Sequence, residues 1–168
     1  MKKKILVIAA VIVLIIALFL LGCQKRMYAR SLIRAIENHD QEKLETLLEK
    51  NGDINAKPYL EPVSRCIERF NYPPLLLACE RGNAAAVRTL LQNDADPNLI
   101  CSNRTALIIA CSSYNQNREE IIRLLLAAGA DTSYIDQYGN NAYDYYRITC
   151  SGTHSTFEMS EDIAKLLE

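Results

Sequence analysis

Apolar residues are distributed along this chain in two different ways. From Ile5 to Leu21 they form one unbroken run of 17 residues. Further on they gather into triplets at helical spacing: Leu44, Leu47 and Leu48; Val87, Leu90 and Leu91; Ile122, Leu125 and Leu126. An i, i+3, i+4 pattern puts all three side chains on one face of a helix. A denser apolar group precedes each triplet: Leu32-Ile33-Arg34-Ala35-Ile36, then Leu75-Leu76-Leu77-Ala78-Cys79, then Leu107-Ile108-Ile109-Ala110-Cys111. The pattern therefore predicts helices in pairs. The leucine pairs start 43 and then 35 residues apart, a spacing that one supersecondary unit per repeat produces.

Polar residues punctuate the pairs in a recurring way. Leu47-Leu48-Glu49-Lys50-Asn51-Gly52-Asp53-Ile54-Asn55 returns as Leu90-Leu91-Gln92-Asn93-Asp94-Ala95-Asp96-Pro97-Asn98, and again as Leu125-Leu126-Ala127-Ala128-Gly129-Ala130-Asp131-Thr132-Ser133. Asn51-Gly52 and Gly129 accept the left-handed conformation that ends a helix. Asp94, in place of glycine, predicts a strained turn, and the Asp-x-Asn tail is turn chemistry. Thr105 is placed to cap its helix, and Pro74 suits a first helical turn. Ala35, Ala78 and Ala110 occupy matching places where neighbouring helices can approach closely.

These units resemble the ankyrin repeat, in which a turn leads to an inner helix opened by Thr-Pro-Leu-His-x-Ala, and an outer helix closes in Leu-Leu-x-x-Gly-Ala-Asp. The second unit matches through Pro74-Leu75, Ala78, Arg81-Gly82-Asn83, Val87 and Leu90-Leu91; the third through Thr105-Ala106-Leu107, Ala110 and Gly129-Ala130-Asp131. A fourth follows from Asp136 to Asp144 and ends on Ile163, Leu166 and Leu167, with Ser160 as a candidate cap. The resemblance implies an all-α solenoid of about four helix-turn-helix units with hairpin turns, over roughly residues 29–55, 56–98, 99–133 and 134–168. The first and last units are abbreviated, as terminal caps of stacked arrays are. His39 stands where the family has glycine, and Tyr146 where the other units have alanine. Between Asn55 and Pro73 the chain is about ten residues longer than the family's usual turn. Ser113 to Asn117 and Ser151 to Thr156 are further insertions.

The N-terminus carries a different signal. Lys2-Lys3-Lys4, the apolar run and Gly22-Cys23 follow the order of an export signal. The run is long for a secretory core and short for a bilayer span, so length alone leaves a cleaved signal and a permanent anchor both open. Leu20-Leu21-Gly22-Cys23 resembles the lipobox of bacterial lipoproteins, which implies cleavage before Cys23 and lipidation (palmitate) of its thiol. The organisation expected is a signal over 1–22, a short linker over 23–28 and a repeat domain over 29–168; the alternative is an uncleaved single-pass anchor. Removing residues 1–22 takes away three lysines and no acids, moving the charge from −1 to −4. No basic stripe with interleaved aromatics is present, which argues against nucleic acid as a partner.

Ankyrin proteins bind partners through turn tips and the exposed side of their inner helices, which form a concave face. The resemblance places Tyr72, Glu80, Arg81, Arg104, Ser112, Tyr138 and Tyr145 there; tyrosine and arginine often dominate interfaces. The long loop Lys57 to Asn71 is the expected specificity element. Cys79 and Cys111 sit at equivalent inner-helix places and read as buried thiols. Cys66 and Cys101 fall in turns on one edge of adjacent units and form a candidate disulfide outside the cytoplasm. Cys150 and His154 lack the third member and scaffold of a nucleophilic site. No catalytic, cofactor or metal site is expected, nor a small-molecule substrate, and nothing requires more than a monomer. The expectation is a protein-binding module on the bacterial cell envelope, lipid-anchored to the outer leaflet of the cytoplasmic membrane or to an outer membrane, with an envelope or membrane-associated partner. An inhibitor or immunity-type protein blocking a partner enzyme is the alternative.

Overall fold

The computed structural model describes residues 2–50, 52–57, 72–151 and 160–167, with side chains from Val11 onward. Among these residues the chain forms eight helices and no strand: α1 (Lys2–Glu37), α2 (Gln41–Leu48), α3 (Pro74–Glu80), α4 (Ala84–Gln92), α5 (Ala106–Cys111), α6 (Arg118–Ala127), α7 (Ala142–Ser151) and α8 (Glu161–Leu167). They pair as the apolar pattern predicts, inner with outer, four times. The end of α1 packs on α3, α3 on α5 and α5 on α7, while α2, α4, α6 and α8 stack alongside. The expected four-unit, all-α solenoid is the observed fold.

Local chemistry fixes each helix start. The Asp40, Asn83 and Thr105 side chains accept the backbone N–H groups of Lys43, Ala86 and Ile108 at 3.0, 3.0 and 3.3 Å, and Pro74 occupies the first turn of α3. Such caps satisfy amide donors that have no partner inside the helix. Left-handed residues reverse the chain afterwards: His39 (φ 53°), Gly82 (68°), Asp94 (63°) and Gly129 (83°). In the first copy of the phrase Asn51 stands where the others have Asp94 and Gly129, and it lies outside the described residues. The lack of a side chain at Gly52 serves close approach: a Cβ there would overlap the Tyr28 ring.

The core runs between the two helical layers. All of Pro74–Cys79 and Ala106–Cys111 are buried, so α3 and α5 are enclosed on every side, and Val87, Leu90, Ile121, Ile122 and Leu125 close the core from the outer layer. Tyr146, in the alanine place, is fully buried. Its hydroxyl accepts the Ser160 N–H at 3.1 Å and approaches Glu119 at 3.3 Å, tying the last inner helix to both outer neighbours.

One difference concerns a segment boundary. The stretch 23–28, expected as a linker, is helical: α1 passes from the apolar run into the first repeat without a break. No proline intervenes, and Gln24, Lys25, Arg26, Met27 and Ala29 all favour helix. Side chains from Val11 to Leu21 project from this helix on all sides into solvent, and the helix from Val11 is long and apolar enough to cross a membrane, with a mean hydropathy of 1.8. The apolar stretch Val63, Cys66, Ile67 and Phe70 within the long loop, and residues 152–156 of the last insertion, lie outside the described residues. The middle insertion is described. It folds back so that Asn115 packs on Gly82 and Asn117 donates to the Gly82 carbonyl at 2.8 Å.

Candidate functional site

Among the described residues, the hairpin tips that lead into α5 and α7 are short turns, and the first is the tighter. Cys101 and Arg104 exchange two backbone hydrogen bonds (3.0 and 3.1 Å) around Ser102 and Asn103, both at positive φ. This two-residue reversal matches the twist of the flanking backbone. It points the Arg104 guanidinium along the inner-helix face, where it donates to the Ser112 hydroxyl, lies beside Tyr72 and stands 5.9 Å from the Tyr145 ring centroid. Its Nε is buried without a hydrogen-bond partner. A guanidinium over an aromatic face is attracted by the ring quadrupole.

The fourth unit supplies the counter-charge. Asp136 is 8% exposed. One carboxylate oxygen accepts the Tyr138 and Asn140 N–H groups at 2.8 and 3.1 Å, and the other accepts the Tyr145 hydroxyl at 2.6 Å. Burial alone would raise its pKa. The hydrogen bonds from Tyr145, Asn140 and Tyr138, with the Arg104 charge, outweigh that and hold the carboxyl below its ordinary value. Burial, then the bond to Asp136 and that residue's charge, push the Tyr145 phenol up, so it remains a donor. Burial also raises Tyr72, with Glu80 adding to the effect and Arg104 opposing it.

Four of the seven expected partner-binding residues thus come together: Tyr72, Arg104, Ser112 and Tyr145 draw units two, three and four into one cluster, and the Glu80 charge acts on Tyr72. Tyr72 is a correction. It is 5% exposed, its ring joining the core while its hydroxyl meets Arg104, so it supports the face instead of presenting itself there. Tyr138, at 74% exposure, projects from the last hairpin tip. Arg81 lies apart, exposed at the end of α3 and 3.6 Å from Glu37.

Such a stack of paired helices with hairpin tips matches a family model of ankyrin repeats, in three copies, over residues 32–136. The chain belongs to the ankyrin-repeat family. The matched span ends where the fourth ankyrin pair, α7 and α8, begins. A putative ankyrin repeat-containing protein of Treponema pallidum (strain Nichols) is 34% identical over 88 residues, 52% of this chain. The chain spans 28% of that relative's length. The ankyrin family is a protein-interaction scaffold.

Several groups of the ankyrin stack escape a reading of the sequence. Asp136 opens the last unit as an unremarkable turn residue, although Asp-Gln-Tyr-Gly-Asn is a pattern in which a carboxylate caps its own turn. Arg118 is 1% exposed. It donates to Thr149 at 3.0 Å and to Cys150 at 3.2 Å, and lies 4.8 Å from the Tyr146 centroid. A cation in the first position of α6 opposes the helix dipole, and that was the available hint. Cys79 and Cys111 are fully buried, as expected, and burial pushes both thiols up. Cys23 is half-buried on α1, Cys101 is buried in its hairpin, and Cys66 and His154 lie outside the described residues.

Proposed function

We propose that this chain is a membrane-tethered interaction module that binds an envelope or membrane-associated protein through the concave ankyrin face. The supporting observation is the Arg104 cluster: three units contribute side chains to one network, and Tyr138 and Tyr145 stand at its accessible edge. Aromatic and arginine side chains that are already ordered lose little entropy on binding. Affinity capture with the full chain from detergent-solubilised membranes tests this. Tyr138→Ala should weaken retention of the partner by about tenfold if the residue is an interface anchor. Arg123→Ala, on the exposed side of α6, should leave retention unchanged. Equal effects from both, or none from either, would remove the inner face as the binding surface.

The tether is proposed to be a lipid on Cys23, on the strength of Leu20-Leu21-Gly22-Cys23. The continuity of α1 favours a second form, in which the segment is retained as a spanning helix. Labelling with radioactive palmitate separates them, since Cys23→Ser abolishes incorporation only where the thiol carries the lipid.

A further inference from the structure

Where α1 leaves its apolar run it passes the first repeat's closing turn, and the two enclose an open cleft of ≈ 380 Å³. Leu21, Gln24, Lys25 and Tyr28 line it from the helix; Lys50 and Asp53 line it from the turn. Gly52 forms the floor. A side chain there would meet the Tyr28 ring, so the close approach of turn and helix depends on this glycine. Asp53 holds Lys25 at 3.5 Å, with the lysine 64% exposed. The lining thus carries two ammonium groups and one carboxylate, beside the apolar edge of Leu21. Arg26 lies back along α1 towards Gly22, adding a cation at the same level.

We propose that this cleft binds the phosphate of an anionic glycerophospholipid, seating the first repeat on the membrane. The proposal rests on the membrane tether above, in either form. Seventeen helical residues span about 26 Å, less than a bilayer's hydrocarbon core of about 30 Å. A short anchor draws its flanking residues into the headgroup layer, which is where residues 22–28 then lie. If Cys23 carries the lipid instead, Gln24, Lys25 and Tyr28 sit at the same depth, and only Leu21 leaves the cleft. Lysine complements a phosphate as a compact point charge. Tyr28 suits the interface, with an apolar ring and a polar tip. Asp53 positions Lys25 while its other oxygen accepts the Asn55 N–H at 3.2 Å.

Native mass spectrometry of the full chain, purified in an uncharged detergent and offered equimolar phosphatidylglycerol and phosphatidylcholine of identical acyl chains, tests the site. The phosphatidylglycerol adduct should dominate. Lys50→Gln should reduce that preference about fivefold, and Lys25→Gln with Lys50→Gln should abolish it. Lys43→Gln, an exposed lysine outside the cleft, should leave it intact. Equal retention of both lipids overturns the proposal, as does an equal loss in Lys43→Gln, which would reflect net charge alone. Adducts with inorganic phosphate or glycerol 3-phosphate as abundant as the lipid's would also overturn it, assigning the cleft to a soluble ligand. Circular dichroism checks that the double variant keeps its helices; the single Lys50→Gln variant, at an exposed turn, carries the test if the double one does not. Alkaline carbonate extraction of membranes isolates the underlying reading. Release of the chain defeats the tether, whereas retention without a lipid preference defeats only the cleft.

Discussion

Asp136 shows how one side chain couples two hairpin tips. Its carboxylate is paid for by three hydrogen bonds and the Arg104 charge, so the folded state favours ionisation. A depressed carboxyl contributes stability above the unfolded value of about 3.9, and loses it as pH falls through the lower folded value. Urea denaturation should therefore show the wild type losing stability below about pH 4, with Asp136→Asn losing less over the same window. At neutral pH that variant should be about 2 kcal/mol less stable, the scale of a hydrogen bond to a charged group. A variant with the wild-type acid limb would remove Asp136 as its source. Asp94 offers the opposite sign. A left-handed conformation is unfavourable for a residue with a Cβ, and Asp94 adopts φ 63° on an exposed turn. Asp94→Gly should raise the unfolding midpoint, by roughly 0.5–1 kcal/mol in stability. This strain was readable from the sequence because the repeat supplies its own comparison, with Gly129 in the same place. The close packing at Gly52 is not readable in this way, since its constraint comes from Tyr28, more than twenty residues away.

The repeated phrase does more than end helices. Within each copy the aspartate accepts the N–H two residues on: Asp53 from Asn55, Asp96 from Asn98 and Asp131 from Ser133, at 3.2, 2.8 and 2.8 Å. The asparagine then reaches the next unit. Asn55 accepts the Asp96 N–H at 3.0 Å, and Asn98 accepts that of Asp131 at 2.8 Å while donating to the Gly129 carbonyl at 3.1 Å. The phrase is thus a ladder that sets the register of one unit on the next. Asn98→Ala should cost about 1 kcal/mol, and more than Asn55→Ala, because two bonds are lost instead of one. Ser133→Asn should change little, since among the described residues no further copy of the phrase follows. Denaturation midpoints that rank the three otherwise would deny the ladder its role. Helix positions were readable because i, i+3, i+4 periodicity is a local property. The ladder was not, because sequence spacing marks the turn and is silent about which neighbour an asparagine reaches. Thr105 and Pro74, whose effects are local, were assigned correctly, whereas Tyr72 was placed on the surface because nothing nearby in sequence announces Arg104.

At the scale of the molecule, the first and fourth units are unlike. The first unit shares its inner helix with the N-terminal segment, so motion of α1 is transmitted directly to the repeats. The fourth unit covers the third: α7 packs on the enclosed helix α5, and Thr149 donates to the Cys111 carbonyl at 3.0 Å while accepting from the buried Arg118. In an array stabilised by nearest-neighbour contacts, removing a cap exposes the preceding unit's core and weakens the entire stack. A chain ended after Ser133 should unfold at a lower urea concentration than the full chain, and with a broader transition. It should also gain a specific chemical signature. In the full chain Cys79 and Cys111 are both fully buried, so an exposed-thiol reagent should modify neither under native conditions. Without α7 and α8, Cys111 should react on a timescale of local opening while Cys79, still covered by α5, remains protected. Protection of both thiols at an unchanged midpoint would mean that the fourth pair is an appendage and the three-unit stack is self-sufficient. Loss of both together would mean instead that the stack unfolds as one unit once its cap is gone. The selective exposure of Cys111 is the outcome that the burial and contacts of α5 require.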